Sequence, residues 1–341
     1  MEFIAVHSAT GERLMPTHAA RARQLVRTGK AKKCFDRGIA YLVLRERVSG
    51  ETQPIALGID PGSKKEAFTV QSARHTFLHV QADAVSWVKE HVKTRRMMRR
   101  ARRSRKTPCR ANRKNRAHGC IPPSTRARWG WKVRLARWLA RHYRITTIVI
   151  EDVAAVTKPG KRRWNESFSP LAVGKQWCYD QLEQIAPVLP MPGHHTKALR
   201  EQAGLKKSRD KLSDAWDTHC VDSFVLASYA VGGPSQPEHT QVVYLTPLRF
   251  HRRQLHRLEP DKGSIRKPYG GTISLGLKRG SWVRHPRWGI VYVGGSSNGR
   301  ISLHAMHSGK RLTQGANVID CQVLCTASWR IRKEGGIPPR A

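Results

Sequence analysis

The chain is poor in carboxylates. Of its 341 residues only 24 are Asp or Glu, against 63 Lys or Arg, for a net charge of +39. A chain so unbalanced repels itself on compaction unless a polyanion neutralises it, so an extended RNA or DNA surface is a better partner than a small acidic metabolite. Cys-x-x-Cys pairs are absent too. The seven cysteines, at 34, 109, 120, 178, 220, 321 and 325, are odd in number and scattered, which argues against a disulfide framework. Cys109, His118 and Cys120 have the spacing of no common zinc finger. No uninterrupted apolar run approaches the roughly 20 residues a membrane-crossing helix needs. The opening Met1-Glu2-Phe3-Ile4-Ala5-Val6 has neither the basic flank nor the apolar core of an export signal. These absences point to a cytoplasmic protein with no membrane partner.

What the chain does have is charge in an unusual place. Residues 95–116 hold twelve Lys or Arg and no acid in twenty-two positions. Basic runs are usually solvated tails at a chain end, whereas this one stands between Gly58-Ile59-Asp60-Pro61-Gly62 and Ile148-Val149-Ile150-Glu151, two segments that read as core strands. Arg95, Arg96, Arg99, Arg100, Arg102 and Arg103 cover most of a helix circumference and leave no apolar face to pack, and Arg105, Lys106, Arg110 and Arg113 extend the run. A helix is expected from about Ala84 through Lys106, with Pro108 ending or kinking it.

Residues 1–52 read as a small βαβ-like module: Phe3-Ile4-Ala5-Val6, a helix from His18 to Thr28 with Thr17 as N-cap and Gly29 at C′, and a strand at Tyr41–Leu44. From Ile55 three short apolar runs separated by turn residues predict three antiparallel strands. A helix from Arg126 to Tyr143 puts Trp131, Leu135, Trp138 and Leu139 on one stripe, and the β-branched Ile145–Ile150 reads as a buried strand. Helices over Val173–Ala186 and Leu212–Tyr229 flank a strand at Val188-Leu189-Pro190. Three strands, helix, strand, helix, strand, helix is the element order of an RNase H fold. Residues 276–332 instead read as short strands with Gly-rich turns, among them Asn317-Val318-Ile319, and predict an SH3-like sheet or small barrel.

In a chain with few acids, those at strand ends stand out. Asp60 ends the first strand of this core and Glu151 the fourth, while His219 and Asp222 share one face of the last helix. In an RNase H order the first and fourth strands are neighbours and the last helix packs near their ends, so Asp60, Glu151 and Asp222 are expected to converge. Three such carboxylates repel one another unless cations sit between them. Two Mg²⁺ ions about 3.5–4 Å apart, for which Mn²⁺ can substitute, are the usual arrangement for phosphodiester hydrolysis. Asp60 would bridge both ions, Glu151 and Asp222 would hold one each, and His219 would be a metal ligand or a general base. The competing reading makes Asp60 a turn residue, Asp222 a solvated helix residue and His219 a satisfied core histidine; Asp210, Asp214 and Asp217 are rivals for the third carboxylate.

Asp60 in Gly-Ile-Asp-Pro-Gly-Ser, the arginine-rich helix, Glu151 in Ile-Val-Ile-Glu-Asp-Val and His219-x-x-Asp222 together resemble the split RuvC motifs and bridge helix of RNA-guided nucleases. Leu14-Met15-Pro16-Thr17 with Gly29-Lys30-Ala31 resembles the PLMP module of the transposon-encoded IscB and IsrB proteins, with Leu14 where that motif has its first proline. Only 70 residues lie between Glu151 and Asp222, too few for an inserted HNH nuclease, so the chain is most similar to the HNH-lacking IsrB family. The resemblance implies an α/β protein with an RNase H-like (RuvC) core split by a bridge helix. Its parts are a PLMP-like module at 1–52, RuvC part I at 53–93, the bridge helix at 94–117, RuvC parts II and III at 118–232, and a basic linker with a β-rich domain at 233–341 that reads a motif flanking the target.

It further implies a large guide (omega) RNA bound 1:1 to a monomeric protein, double-stranded DNA with a short flanking motif as target, and Mg²⁺-dependent nicking of the non-target strand. The setting would be prokaryotic, nucleoid-associated when on DNA. The bridge-helix basic residues would contact phosphates, each neutralised phosphate adding about 0.9 to the slope of log affinity against log salt. Two alternatives stay open at this point: a guide-independent, structure-specific RuvC-like endonuclease, and a catalytically inactive nucleic-acid-binding protein.

Overall fold

A computed structural model describes residues 2–105, 121, 123–152, 174–249, 258–259, 264–265 and 272–332. Lys106, Pro108, Arg110 and Arg113, with Cys109, His118 and Cys120, lie outside the described residues, and the basic helix ends before them, at Ser104 with Arg105 as its C-cap rather than at Pro108. The chain divides into two compact units, one of residues 1–33 and 41–242, the other of 34–40 and 243–341.

The chain opens with β1 (Phe3–His7), β2 (Arg13–His18), α1 (Ala19–Arg27), β3 (Ala31–Asp36) and β4 (Ile39–Leu44), of which β3 up to Lys33 and β4 from Tyr41 on belong with the first unit. These form a four-stranded sheet of order β2-β1-β4-β3, with β1 antiparallel to β2 and parallel to β4. The expected βαβ module is therefore two strands, a helix and two strands. Leu14–Thr17 belongs to β2, so the N-cap is not Thr17 but His18, whose Nδ1 accepts from the Ala20 amide at 3.3 Å. Gly29 stands just past the helix at φ +73°, where a side chain would be strained.

The main sheet comprises β5 (Ile55–Asp60), β6 (Lys65–Ser72), β7 (Thr76–Asp83), β8 (Ile145–Asp152) and β9 (Val188–Pro192), in the order β7-β6-β5-β8-β9. The first three are antiparallel, while β8 runs parallel to both β5 and β9. The expected adjacency of first and fourth strands is what the chain adopts. With Ile59 opposite Ile150, Asp60 and Glu151 leave their strands at the same edge. Strand β5 is buried along its whole length, in keeping with the uncharged run that precedes Asp60.

Between β7 and β8 come α2 (Trp87–Ser104) and α3 (Pro123–Leu139), the latter beginning and ending a few residues earlier than expected. Trp131, Leu135, Trp138 and Leu139 are buried, as the stripe predicts, and so is Trp129, which lies outside it. Then follow α4 (Lys175–Glu183), α5 (Gly193–Gln202) and α6 (Trp216–Val231). Helix α5 was not foreseen, because Gly-His-His-Thr-Lys-Ala-Leu-Arg-Glu-Gln carries almost no apolar periodicity. Residues 218–227 of α6 are buried without interruption. The helix reaches the sheet because of one glycine: a Cβ on Gly58 would lie 1.9 Å from the Ser223 carbonyl oxygen. Only a glycine there lets the α6 backbone rest on β5, two residues before Asp60 and one residue after Asp222.

The second unit is β-rich. It holds β10 (Val242–Pro247) from Val243 on, β11 (Leu258–Glu259), β12 (Ser264–Ile265), β13 (Ile273–Ser274), β14 (Leu277–Lys278), β15 (Trp282–His285), β16 (Gly289–Ser297), β17 (Arg300–Ala305), β18 (Arg311–Ala316), β19 (Gln322–Cys325) and β20 (Trp329–Ile331). An antiparallel sheet of order β18-β17-β16-β15-β19 packs around Val283, Val291, Val293, Ile301 and Leu303. The expected strand at Asn317-Val318-Ile319 is not formed; the segment follows β18 as a turn, with Ile319 89% exposed. Among the described residues, no helix is long and apolar enough to cross a membrane.

Candidate active site

Asp60, His219 and Asp222 are brought together by the contact of α6 with β5, and all three are buried. His219 Nδ1 lies 3.2 Å from Asp60 Oδ2, and its Nε2 lies 3.2 Å from the Lys211 carbonyl oxygen. Both ring nitrogens thus face oxygen acceptors, which casts His219 as a donor that orients Asp60. Asp222, only 2% exposed, is no solvated helix residue: its Oδ1 accepts from Arg200 on α5 and its Oδ2 from Lys207. Asp210, Asp214 and Asp217 are not in this cluster by any contact described; Asp214 pairs with Lys65.

Glu151 joins from β8. It is pushed up to about 8, first by burial and then by repulsion from Asp60 and Asp222, while its hydrogen bond with Asp60 adds to the shift and Lys207 opposes it. Asp60 moves the other way. Burial disfavours its charge, but the His219 hydrogen bond, Lys207 and the Glu151 hydrogen bond outweigh that and hold it below the usual carboxylate range. Opposed shifts of this kind are what closely spaced carboxylates show, because two like charges disfavour ionising together. Helix α5 begins against Glu151: a Cβ on Gly193 would stand 2.8 Å from Glu151 Oε1.

Asp60 and Glu151, with Asp222 beside them, form an oxygen donor set suited to a hard divalent cation. Among the described residues, no three His, Cys, Asp or Glu side chains stand in a ready metal-binding arrangement. The two oxygens of Asp222 are both taken by Arg200 and Lys207. These two cations, together with Gly193, are site residues that the sequence reading missed. Lys207 sits in an unremarked Lys-Lys-Ser stretch and Arg200 on an unforeseen helix, so no spacing signal marked either.

A second buried ion pair lies behind the site. Glu66 on β6 accepts from Lys132 Nζ of α3 at 2.7 Å, with both side chains almost fully buried, and the same Nζ is 3.4 Å from the Gly62 carbonyl oxygen in the turn after Asp60. Burial raises Glu66 to about 7 against the pull of Lys132.

Outside this pocket, α2 presents Arg95, Arg96, Arg99, Arg100 and Arg103 to solvent, and Arg105 follows at its C-cap, also exposed. Arg99 and Arg103 bond the carbonyls of Arg95 and Arg99, four residues back. Arg102 belongs to the same helix.

Residues 4–162 match the model of the family described as RRXRR protein. That family is typical of IscB- and IsrB-like nucleases. The matched span contains Asp60, Glu151 and the basic run, within which Arg99-Arg100-Ala101-Arg102-Arg103 reads as the pattern in the family's name. No curated protein matches the chain. Among solved structures, Thermus thermophilus RuvC in complex with a Holliday junction substrate is similar at 12% identity over 51% of this chain and 90% of that one, with a TM-score of 0.29. A second Thermus thermophilus RuvC structure is similar at 12% identity over 52% and 96%, with a TM-score of 0.27. A CRISPR-Cas12f ternary complex is similar at 14% identity over 64% and 50%, with a TM-score of 0.29.

Proposed function

We propose that this chain is a nucleic-acid endonuclease with a RuvC-type site, and within that class an IsrB-like, RNA-guided nickase of the non-target DNA strand. One observation carries the reading: the buried Asp60 and Asp222 converge with the half-buried Glu151 where β5, β8 and α6 meet, in a chain of net charge +39. Asp60, Glu151 and Asp222 would hold two Mg²⁺ ions, or Mn²⁺ in their place. Bound there, the ions would supply an activated water and stabilise the leaving 3′ oxygen.

The chain's own residues do the rest. His219 fixes the orientation of Asp60. Gly193 leaves room for Glu151, while Arg200 and Lys207, which occupy both oxygens of Asp222 in this structure, would have to yield at least one of them to a metal ion and would then offer cations to a phosphate entering the site. The match of 4–162 to the RRXRR family, with its exposed arginine helix, supports a guide RNA as partner. A single site cuts a single strand.

The protein purified with its RNA should convert supercoiled target plasmid to nicked circles in Mg²⁺ and stop on chelation. Asp60→Ala should lower nicking by about 10³-fold or more while nucleic-acid binding persists. Survival of nicking in that variant would show the catalytic assignment to be wrong. Equal cutting of branched DNA after RNA removal would favour the guide-independent reading.

A further inference from the structure

Away from the carboxylates, α3 and α4 enclose a groove of about 480 Å³ lined by Arg126, Gly130, Arg134, Arg137, Trp177 and Gln181. No carboxylate lines it. Arg126 lies over the Trp177 ring, 5.6 Å from its centroid, and Arg137 donates to Gln181 Oε1 at 3.0 Å and Gln184 Oε1 at 2.9 Å.

The choice of partners on α4 is informative. Residues 177, 181 and 184 follow helical spacing and form the row facing α3, and they are Trp, Gln and Gln. The acids of α4, Asp180 and Glu183, are off that row. Had docking of the two helices been the only requirement, Glu at 181 or 184 would have paired with Arg137. Glutamine orients the guanidinium but leaves its charge uncompensated, and no salt bridge to Arg126 or Arg137 is present among the described residues. Fixed cations beside an aromatic face form a surface for a phosphodiester strand with a base stacked on the ring.

The groove's position names the strand. Asp152, which follows Glu151, accepts from Lys175 Nζ at 2.6 Å and Tyr179 Oη at 2.7 Å in the first turns of α4. Gly174 at the head of α4 stands against Thr125 at the head of α3, where a Cβ would lie 2.8 Å from Thr125 Cγ2. The Arg126–Trp177 end is therefore at the catalytic edge of the sheet. From there to Arg137 the groove follows eleven residues of helix, about 16 Å at 1.5 Å per residue.

We propose that the α3–α4 groove binds the single-stranded DNA adjoining the cleavage site, its phosphates on Arg126 and Arg137 and one base against Trp177. That the strand is DNA rests on the nuclease reading above; the groove's chemistry does not.

The test uses full-length protein carrying Asp60→Ala, so that cutting plays no part. A single-stranded DNA containing 5-iododeoxyuridine is cross-linked by light and the labelled peptide identified by mass spectrometry. The peptide bearing Trp177 should carry the label, and Trp177→Leu should lose it. Arg126→Gln with Arg137→Gln should bind about tenfold more weakly, with a salt slope smaller by about 1.4. A charge-matched control on α1, Arg23→Gln with Arg27→Gln, should change binding less than twofold, and all variants should melt within about 3 °C of the parent. Labelling elsewhere on the chain, or an equal effect of the control pair, overturns the groove. Preferential labelling of Trp177 by an iodouridine RNA overturns the assignment to DNA. Absence of nicking by the unmutated protein, with the Trp177 cross-link retained, would instead count against the nuclease reading alone.

Discussion

At the scale of single residues, the ion pair of Glu66 and Lys132 shows how the site is supported from behind. A carboxylate and an ammonium removed from water lose several kcal/mol of hydration each, and only their mutual attraction offsets it. Lys132 also reaches the carbonyl of Gly62, so it ties the turn after Asp60 to α3. Lys132→Met should therefore cost about 3–5 kcal/mol, because Glu66 is left buried without its partner and must take up a proton or carry an uncompensated charge. Adding Glu66→Gln should recover much of that loss, and a denaturant double-mutant cycle measures the coupling. If the single and double variants are equally unstable, the pair does not act as described.

His79 belongs to the same scale. It is fully buried, with Thr69 Oγ1 at 2.9 Å from Nδ1 and the His239 carbonyl at 3.2 Å from Nε2. Burial first, and then His239, depress it to about 3 from the ordinary 6.5. The folded state thus keeps the ring neutral at pH values where the unfolded chain binds a proton. Its contribution to stability is fully present above about pH 6.5 and is lost as pH falls towards 3, with a slope approaching 1.4 kcal/mol per pH unit. Melting of the protein between pH 7.5 and 5 should show the decline, and His79→Gln should flatten it.

At the scale of elements, the contact of α6 with β5 decides whether there is a site at all. A methyl group on Gly58 would meet the Ser223 carbonyl at 1.9 Å and the Ala227 amide nitrogen at 2.8 Å, both backbone atoms that cannot swing aside. Gly58→Ala should push α6 off the sheet, destabilise the protein by about 1–3 kcal/mol or more, and separate Asp222 from Asp60. The expected signature is a lowered melting temperature together with nicking reduced more than the unfolded fraction explains. A variant as stable and as active as the parent would mean that the helix tolerates the displacement. This glycine was legible in the sequence only as part of a turn-like Gly-x-Asp pattern; that its missing Cβ makes room for a helix 165 residues later in the chain was not.

At the scale of the whole molecule, charge dominates. With the twelve basic residues of 95–116 removed from the count, 39 − 12 leaves about +27, so the basicity extends well beyond one helix. Binding of RNA should weaken steeply with salt, and neutralising five of the α2 arginines, Arg95, Arg96, Arg99, Arg100 and Arg103, should reduce the slope of log affinity against log salt by up to about 4.5. The nucleic acid that co-purifies should be one discrete long RNA. Random fragments in its place would count against a guide RNA and leave a general polyanion binder.

Much of the core was determined by the sequence alone. The uncharged runs at Ile55–Ile59 and Ile145–Ile150, the second β-branched throughout and each closed by an acid, read as strands from local pattern alone, because burial and β-propensity act locally. The basic run has no apolar face, so it could only stand in solvent. Tertiary structure decided the rest: that Arg200 and Lys207 hold Asp222, and that Gln181 and Gln184 rather than a carboxylate meet Arg137. Those outcomes depend on backbones and side chains far apart in the chain meeting within hydrogen-bond distance. No local pattern encodes such a distance; the packing of α6 on Gly58 and of α4 on α3 sets it.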